Sequence, residues 1–214
     1  MKRKWISKEE GQVLTLFFCG WGMDERTVQH MRGQGDLLLF CDYRDISEEE
    51  APEVDGYESV RVVAWSMGVW AASVLLSRWN IPVSYRVAIN GTERPVDEHY
   101  GIHPKIYLLT EQGMTEQGRD KFFARMLSGK EEMERFEGNK PCRDIDEQRD
   151  DLRLIREQSA REMSEMHWDR VYVSKGDVIF PVENQWNWWR NRVEIITLSG
   201  GHYPFYALDN WEKI

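Results

Sequence analysis

Val60-Arg61-Val62-Val63-Ala64-Trp65-Ser66-Met67-Gly68-Val69-Trp70-Ala71-Ala72-Ser73-Val74-Leu75-Leu76 is the stretch that decides the reading of this chain. An apolar, β-branched run leads into a serine, and an apolar run of helical character leaves it. Small residue, any residue, Ser, any residue, Gly, set between a strand and a helix, is the layout of a nucleophile elbow. The turn is tight and strained. It lifts the serine hydroxyl above the strand end, with the positive end of the helix dipole behind it. Small side chains are needed two residues before and two after the serine, where strand and helix approach closely. Ala64 stands where Gly is more usual, as the next smallest choice. The plainer alternative is a buried Ser at an ordinary strand-to-helix turn.

Two further signals fall in the order this chemistry requires. Ser174-Lys175-Gly176-Asp177 follows a strand-like Arg170-Val171-Tyr172-Val173. An acid in a Gly-containing loop just past a strand reaches across the top of a sheet, although Asp177 also suits a cap for a helix beginning near Pro181. Gly200-Gly201-His202 follows the strand-like Val193-Glu194-Ile195-Ile196-Thr197-Leu198. A lone His in a loop is commonly just a surface residue. Ser, then Asp, then His, each after a strand, is the chain order of the α/β-hydrolases. Ser66 is then the expected nucleophile, His202 the base and later the acid, and Asp177 the group that fixes the imidazole.

A tetrahedral intermediate needs preorganised N–H donors. Met67, next after the serine, supplies one. The second is expected at an early strand-to-loop junction. Val13-Leu14-Thr15-Leu16-Phe17-Phe18 reads as a strand buried on both faces, and it ends in Cys19-Gly20-Trp21-Gly22-Met23-Asp24. The Trp21 N–H is the expected second donor, and Asp24 the cap of a following helix. Many serine hydrolases carry His-Gly at this loop; here Cys19 replaces the His. A plain Gly-rich turn is the alternative. Trp21 and Trp65 flank the expected site and are candidates for the walls of an acyl pocket.

Phe17-Phe18-Cys19-Gly20-Trp21-Gly22-Met23-Asp24 together with Ala64-Trp65-Ser66-Met67-Gly68-Val69-Trp70 resembles the BioG-type pimeloyl-[acyl-carrier protein] methyl ester esterases. Asp177-Val178-Ile179-Phe180-Pro181, Glu183-Asn184-Gln185 and Gly201-His202-Tyr203-Pro204-Phe205 are similar to that family too. The likeness runs from about Gln12 to Leu208. The Gly-Trp-Gly and Trp-Ser pairs also occur in the larger BioH-type esterases of the same step. The resemblance implies hydrolysis of the methyl ester of pimeloyl-acyl carrier protein, late in the making of biotin's pimelate chain. It gives the triad roles to Ser66, Asp177 and His202, and the oxyanion roles to the Trp21 and Met67 N–H groups. It implies an acyl carrier protein as partner and no cofactor or metal.

Composition agrees with a single-domain enzyme over residues 1–214. The formal net charge of -9 argues against nucleic acid as a partner. No run of about 18 or more apolar residues suggests a membrane span. The basic start, Met1-Lys2-Arg3-Lys4, has no apolar core after it and does not read as a secretion signal. Cys19, Cys41 and Cys142 show no metal spacing and read as free thiols in a reducing cytosol. A cytoplasmic monomer is the expectation.

Strands are predicted near 12–18, 36–41, 60–64, 84–89, 170–174 and 193–198, and helices near 24–32, 67–79, 181–190 and 203–211. Such alternation predicts a mostly parallel sheet with helices on both faces. Its ligands sit at the C-terminal strand ends. Tyr107-Leu108-Leu109 reads equally as a short strand or an extended connector. From about Thr115 to His167 the alternation stops, and a charged, helical stretch falls where this fold inserts its lid. Arg149, Arg153 and Arg156 recur there at helical spacing and form a basic stripe, a candidate docking site for an acidic carrier protein. Asp146, Asp150 and Glu157 lie near enough to pair with it. Two other readings stay open: a general carboxylesterase or thioesterase for small acyl compounds, and a hydrolase-fold protein that binds a ligand without efficient turnover.

Overall fold

The computed structural model describes residues 1–9 and 11–214. Among them are seven strands: β1 (Lys2–Ser7), β2 (Val13–Phe18), β3 (Asp36–Cys41), β4 (Ser59–Trp65), β5 (Tyr85–Ile89), β6 (Arg170–Ser174) and β7 (Ile195–Leu198). They form one sheet in the order β1-β3-β2-β4-β5-β6-β7. All neighbours are parallel except β1 and β3, which run antiparallel. Every residue of β3 is buried, and so are the last five of β2. Successive strand side chains face opposite sides, so the sheet is covered on both faces.

The helices are α1 (Met67–Arg78), α2 (Pro104–Gln112), α3 (Glu116–Met126), α4 (Lys130–Phe136), α5 (Ile145–Ser159) and α6 (Val182–Trp189). Four of them, α2 to α5, lie in sequence between β5 and β6. The strand order reverses on either side of β2, so the loops after β2 and β4 lead away from each other. A crevice opens there, at the strands' carboxyl ends, where sheets of this kind take their ligands.

The structure departs from the sequence reading in four places. Strand β1 is an addition. Its Lys2, Arg3 and Lys4 are exposed and paired with Glu147, Glu49 and Glu25, so charge hides the strand pattern. Charged residues on an edge strand also discourage further pairing. The helix expected near 24–32 shrinks to one 3₁₀ turn, Glu25–Val28. The chain then leaves to bridge the C-terminal segment, with Arg32 N–H donating to Asp209 O at 2.9 Å and Trp211 N–H to Arg32 O at 2.9 Å.

The helix expected near 203–211 is a set of turns. Tyr203 and Phe205 both pack into the core against Trp65, and residues two apart cannot share one face of a helix. The Ala207 and Leu208 N–H groups both fold back onto Pro204 O. Lastly, Tyr107-Leu108-Leu109 is neither strand nor connector but the middle of α2. Pro104 starts that helix, and the His103 side chain accepts from Lys105 N–H at 3.2 Å. The helical segment therefore begins at Pro104, ahead of the boundary expected near 115.

Candidate active site

Ser66 follows the last residue of β4, Asp177 lies three residues past β6, and His202 lies four past β7. Parallel strands end on the same side, so the three are delivered to one edge of the sheet. Ser66 holds φ 57° and ψ −123°, a region that L-residues rarely adopt. Neighbouring backbone enforces it. A Cβ on Gly68 would lie 2.3 Å from Phe18 O and 2.6 Å from Cys19 O. A Cβ on Gly91, in the loop after β5, would lie 2.4 Å from Ser66 O. The elbow is thus clamped between the ends of β2 and β5.

His202 Nε2 lies 2.9 Å from Ser66 Oγ, and His202 Nδ1 lies 2.8 Å from Asp177 Oδ2. All three residues are buried. Asp177 Oδ1 accepts from the Ile179 and Phe180 N–H groups at 2.9 and 2.8 Å, and Oδ2 also accepts from Gln185 Nε2 at 3.0 Å. A carboxylate ringed by donors can only accept from the imidazole, so the His202 proton sits on Nδ1. Nε2 then presents its lone pair to the serine hydroxyl. Asp177 Oδ1 thus holds the turn before α6 but does not cap that helix, whose N-cap is Pro181 with no side-chain cap bond.

The sequence reading missed three supports. Asn90 has φ 46° at the end of β5. Its Nδ2 donates to Ser174 Oγ and to His202 O, both at 2.9 Å, and its Oδ1 accepts from Ser174 N–H at 2.8 Å. It ties three loops together. Gln185 steadies Asp177. Trp65 donates its indole N–H to His202 O at 2.9 Å. For Asn90 the hint in the sequence was placement: Asn90-Gly91 directly follows a strand, a common setting for a left-handed turn.

Trp21 follows β2, at a turn in which Met23 N–H reaches Gly20 O at 3.4 Å and Gly22 takes φ 74°. Met67 opens α1, where the first N–H groups have no carbonyl a turn behind them. Both residues line a narrow cavity of about 30 Å³ that opens to solvent. Ser66 and His202 face the same cavity, and Trp65 borders it. Most of the remaining wall is apolar, including Ile106, Phe122, Leu152 and Ile179. The lining also holds Arg125, whose Nη2 donates to Val178 O at 3.2 Å. Cys19 is no competing nucleophile, because burial pushes its thiol well above the ordinary value.

The basic stripe of α5 is internally paired. Arg149 bonds Asp146 at 2.8 Å and donates to Met114 O at 2.8 Å. Arg153 contacts Asp150 at 3.1 Å and Glu157 at 3.7 Å, and Arg156 grips Glu111 at 2.8 and 3.1 Å. The neutralising acids include Glu111 of α2, which the spacing within α5 did not reveal. Among the described residues no helix is long and apolar enough to cross a membrane.

Fold and sheet order define an α/β-hydrolase. Solved structures that share the fold include an α/β-hydrolase from a Medee basin deep-sea metagenome library (TM-score 0.65, 12% identity, 97% of this chain and 89% of that one). The enol-lactonase of Burkholderia xenovorans is another (TM-score 0.62, 11% identity, 97% and 91%). The chain belongs to the pimeloyl-ACP methyl esterase BioG family, whose family model matches residues 1–214. It is similar to the crystal structure of BioG from Haemophilus influenzae, with TM-score 0.91, 33% identity, and coverage of 100% of this chain and 99% of that one. A malonyl-[acyl-carrier protein] O-methyltransferase of Bacteroides fragilis is 37% identical over 191 residues. That match takes in 88% of this chain, but the chain spans only 39% of the relative's length.

Proposed function

We propose that this hydrolase-fold protein is a serine esterase that cleaves the methyl ester of pimeloyl-[acyl-carrier protein]. The observation that carries the reading is the hydrogen-bonded run from Ser66 Oγ through His202 to Asp177. Ser66 Oγ attacks the ester carbonyl while His202 Nε2 takes its proton. The carbonyl oxygen becomes an oxyanion that faces the N–H groups of Met67 and Trp21. Collapse breaks the bond to the methoxy group, which leaves as methanol with the proton from His202. Water then attacks the acyl-serine with His202 again as base, and the carboxylate product departs.

Family membership supports the substrate. The methyltransferase name of the B. fragilis relative belongs to a protein more than twice this length. A methyltransferase that works on a carrier-bound acyl chain makes the class of methyl ester that this esterase would remove. The apolar cavity suits a polymethylene chain, which gains free energy by leaving water. The proposal places the enzyme in the cytosol as a monomer, with the acyl carrier protein as its partner. The carrier's acidic face would meet α5 by exchanging pairs now made within the chain, since Arg153 and Arg156 remain partly exposed.

An alkylphosphonate probe tests the chemistry. Stoichiometric labelling at Ser66, abolished in Ser66→Ala, is the expected result. Labelling elsewhere, or full esterase activity in Ser66→Ala, removes Ser66 from the mechanism.

A further inference from the structure

The loop from Cys19 to Asp24, which carries the Trp21 N–H, is not held by the sheet alone. Three parts of the chain outside it grip it in turn. The Tyr43 hydroxyl donates to Cys19 O at 2.7 Å. The Cys142 N–H donates to Asp24 Oδ2 at 2.7 Å. Between these ends, besides the packing of Trp65 on Gly20 and Phe122 on Trp21, the polar contact is Gln148, in the first turns of α5. Its main-chain oxygen accepts from the Trp21 indole N–H at 2.8 Å. Its side-chain Oε1 is packed so closely on Gly22 that a Cβ there would come within 3.0 Å.

Gln148 is fully buried, and it is absent from the cavity lining. Its Nε2 donates to Arg143 O at 2.8 Å, which fixes the amide orientation and turns Oε1 toward the loop. Among the described residues Oε1 has no hydrogen-bond partner. An unpaired buried oxygen carries a desolvation cost, and an apolar side chain of similar size would escape it. The Nε2 bond to Arg143 O offsets that cost only in part, and Oε1 is held against Gly22.

Beneath Gln148 lies a buried ion cluster. Arg143 pairs with Asp151 at 2.7 Å and with Asp42 at 3.2 Å, and Asp151 Oδ1 accepts from Tyr43 N–H at 2.9 Å. Tyr43 is the residue whose hydroxyl holds Cys19. The cluster thus fixes the root of α5 and the root of the loop to the same point.

We propose that Gln148 is a positioning residue: from the wall behind the cavity, it holds the Trp21 side chain and Gly22, and through them the Gly20–Trp21 peptide, so that the Trp21 N–H faces the oxyanion. The helix that bears Arg153 and Arg156 on its outer side would then shape the reaction centre from its inner side. This rests on Ser66 acting as the nucleophile.

The test is a double-mutant cycle with Gln148→Leu and Trp21→Phe, assayed on a short p-nitrophenyl ester. A misplacement of about an ångström in such a site costs on the order of a hundredfold in rate. Each single variant should lose about ten- to a hundredfold in kcat with KM nearly unchanged. A trifluoromethyl ketone, whose hemiketal oxygen needs the same donors, should bind more weakly by a like factor. The double variant should lose little more than the worse single, because the two contacts position the same N–H. Unchanged kcat with only a lower melting temperature, or losses that simply multiply, would overturn the proposal. Where Gln148→Leu does not fold, Trp21→Phe alone must show the parallel loss in kcat and ketone affinity, or the proposal falls. Ser66→Ala, run alongside, should be inactive; if it turns over substrate, both the site reading and this inference fail.

Discussion

Trp65, the residue before the candidate nucleophile, donates its indole N–H to the carbonyl oxygen of His202 at 2.9 Å. The strand that presents Ser66 therefore also fixes the backbone of the residue that must meet it. Trp65 is fully buried and packs edge-on against Tyr203 and Phe205, the two aromatics that follow His202. The 2.9 Å approach of His202 Nε2 to Ser66 Oγ is thus supported from beneath by a side chain with no part in the chemistry.

Trp65→Phe tests that support. It keeps most of the ring and removes the donor. His202 O would retain its bond from Asn90, so the fold should survive with a loss of about 1 kcal/mol, the net worth of one hydrogen bond. Turnover should fall about tenfold, through kcat, as His202 gains freedom. Steady-state kinetics beside a urea unfolding curve separates the two effects. Unchanged kcat would show that Asn90 alone positions the loop.

Gly68→Ala and Gly91→Ala probe the elbow. Each new methyl would meet main-chain oxygen atoms that cannot move independently of the sheet. Each variant should lose several kcal/mol of stability or fail to accumulate as folded protein. Ala64→Gly, two residues before Ser66, should in contrast be tolerated, at a cost of about 1 kcal/mol in strand propensity and lost packing. Thermal melting of the three variants checks the contrast.

Glu93 gives a prediction in pH. It is almost fully buried just after β5 and, among the described residues, accepts from the Met166 N–H and the Trp168 indole, both at 2.9 Å. Burial pushes its carboxyl up to about 6, against these two donors and the nearby Arg94, with Glu165 adding to the rise. A raised folded value means that the fold favours the neutral acid. That advantage is complete below the unfolded value of 4.5 and is lost as pH climbs through about 6. Glu93→Gln keeps the acceptor and cannot ionise. It should match the parent protein in stability near pH 4 and exceed it by up to about 2 kcal/mol at pH 8. Urea unfolding at both pH values measures this, and an equal gap at the two would refute it.

Arg153→Glu addresses the carrier protein. Its pairs with Asp150 and Glu157 are half exposed and are worth little to stability. If α5 receives an acidic partner, kcat/KM on the carrier-linked ester should fall about threefold to tenfold, and salt should weaken the parent reaction in the same way. A short p-nitrophenyl ester should be unaffected. Equal activity on both esters would leave the stripe a solvated helix face. Arg149 is the poorer choice for substitution, because it also holds Met114 O between α2 and α3.

The central sheet was legible because β2 to β7 are apolar runs with few charges and end in glycine-rich or polar loops. The meeting of Ser66, Asp177 and His202 was legible because chain order and strand ends fix it once the strands are parallel. Strand β1 was not, since its lysines and arginine find their partners on distant segments. The turns after His202 were not, since Tyr203 and Phe205 are drawn into the core by Trp65, and helical propensity is silent about that. Asn90, Gln185 and Gln148 were hidden for the same reason. Each is an ordinary polar residue in sequence; Asn90 and Gln148 acquire their roles through neighbours far along the chain, and Gln185 through the turn that folds it back on Asp177.

The most direct measurement is the mass of the carrier protein after incubating methyl pimeloyl-[acyl-carrier protein] with the enzyme and with Ser66→Ala. The account predicts that the parent enzyme removes only the ester methyl, leaving pimeloyl-[acyl-carrier protein] with its thioester intact and releasing methanol, while Ser66→Ala leaves the substrate unchanged. A carrier stripped of its whole acyl chain would make the protein a thioesterase. A carrier that keeps its methyl ester, under conditions where the same enzyme cleaves a p-nitrophenyl ester, would contradict the assigned substrate.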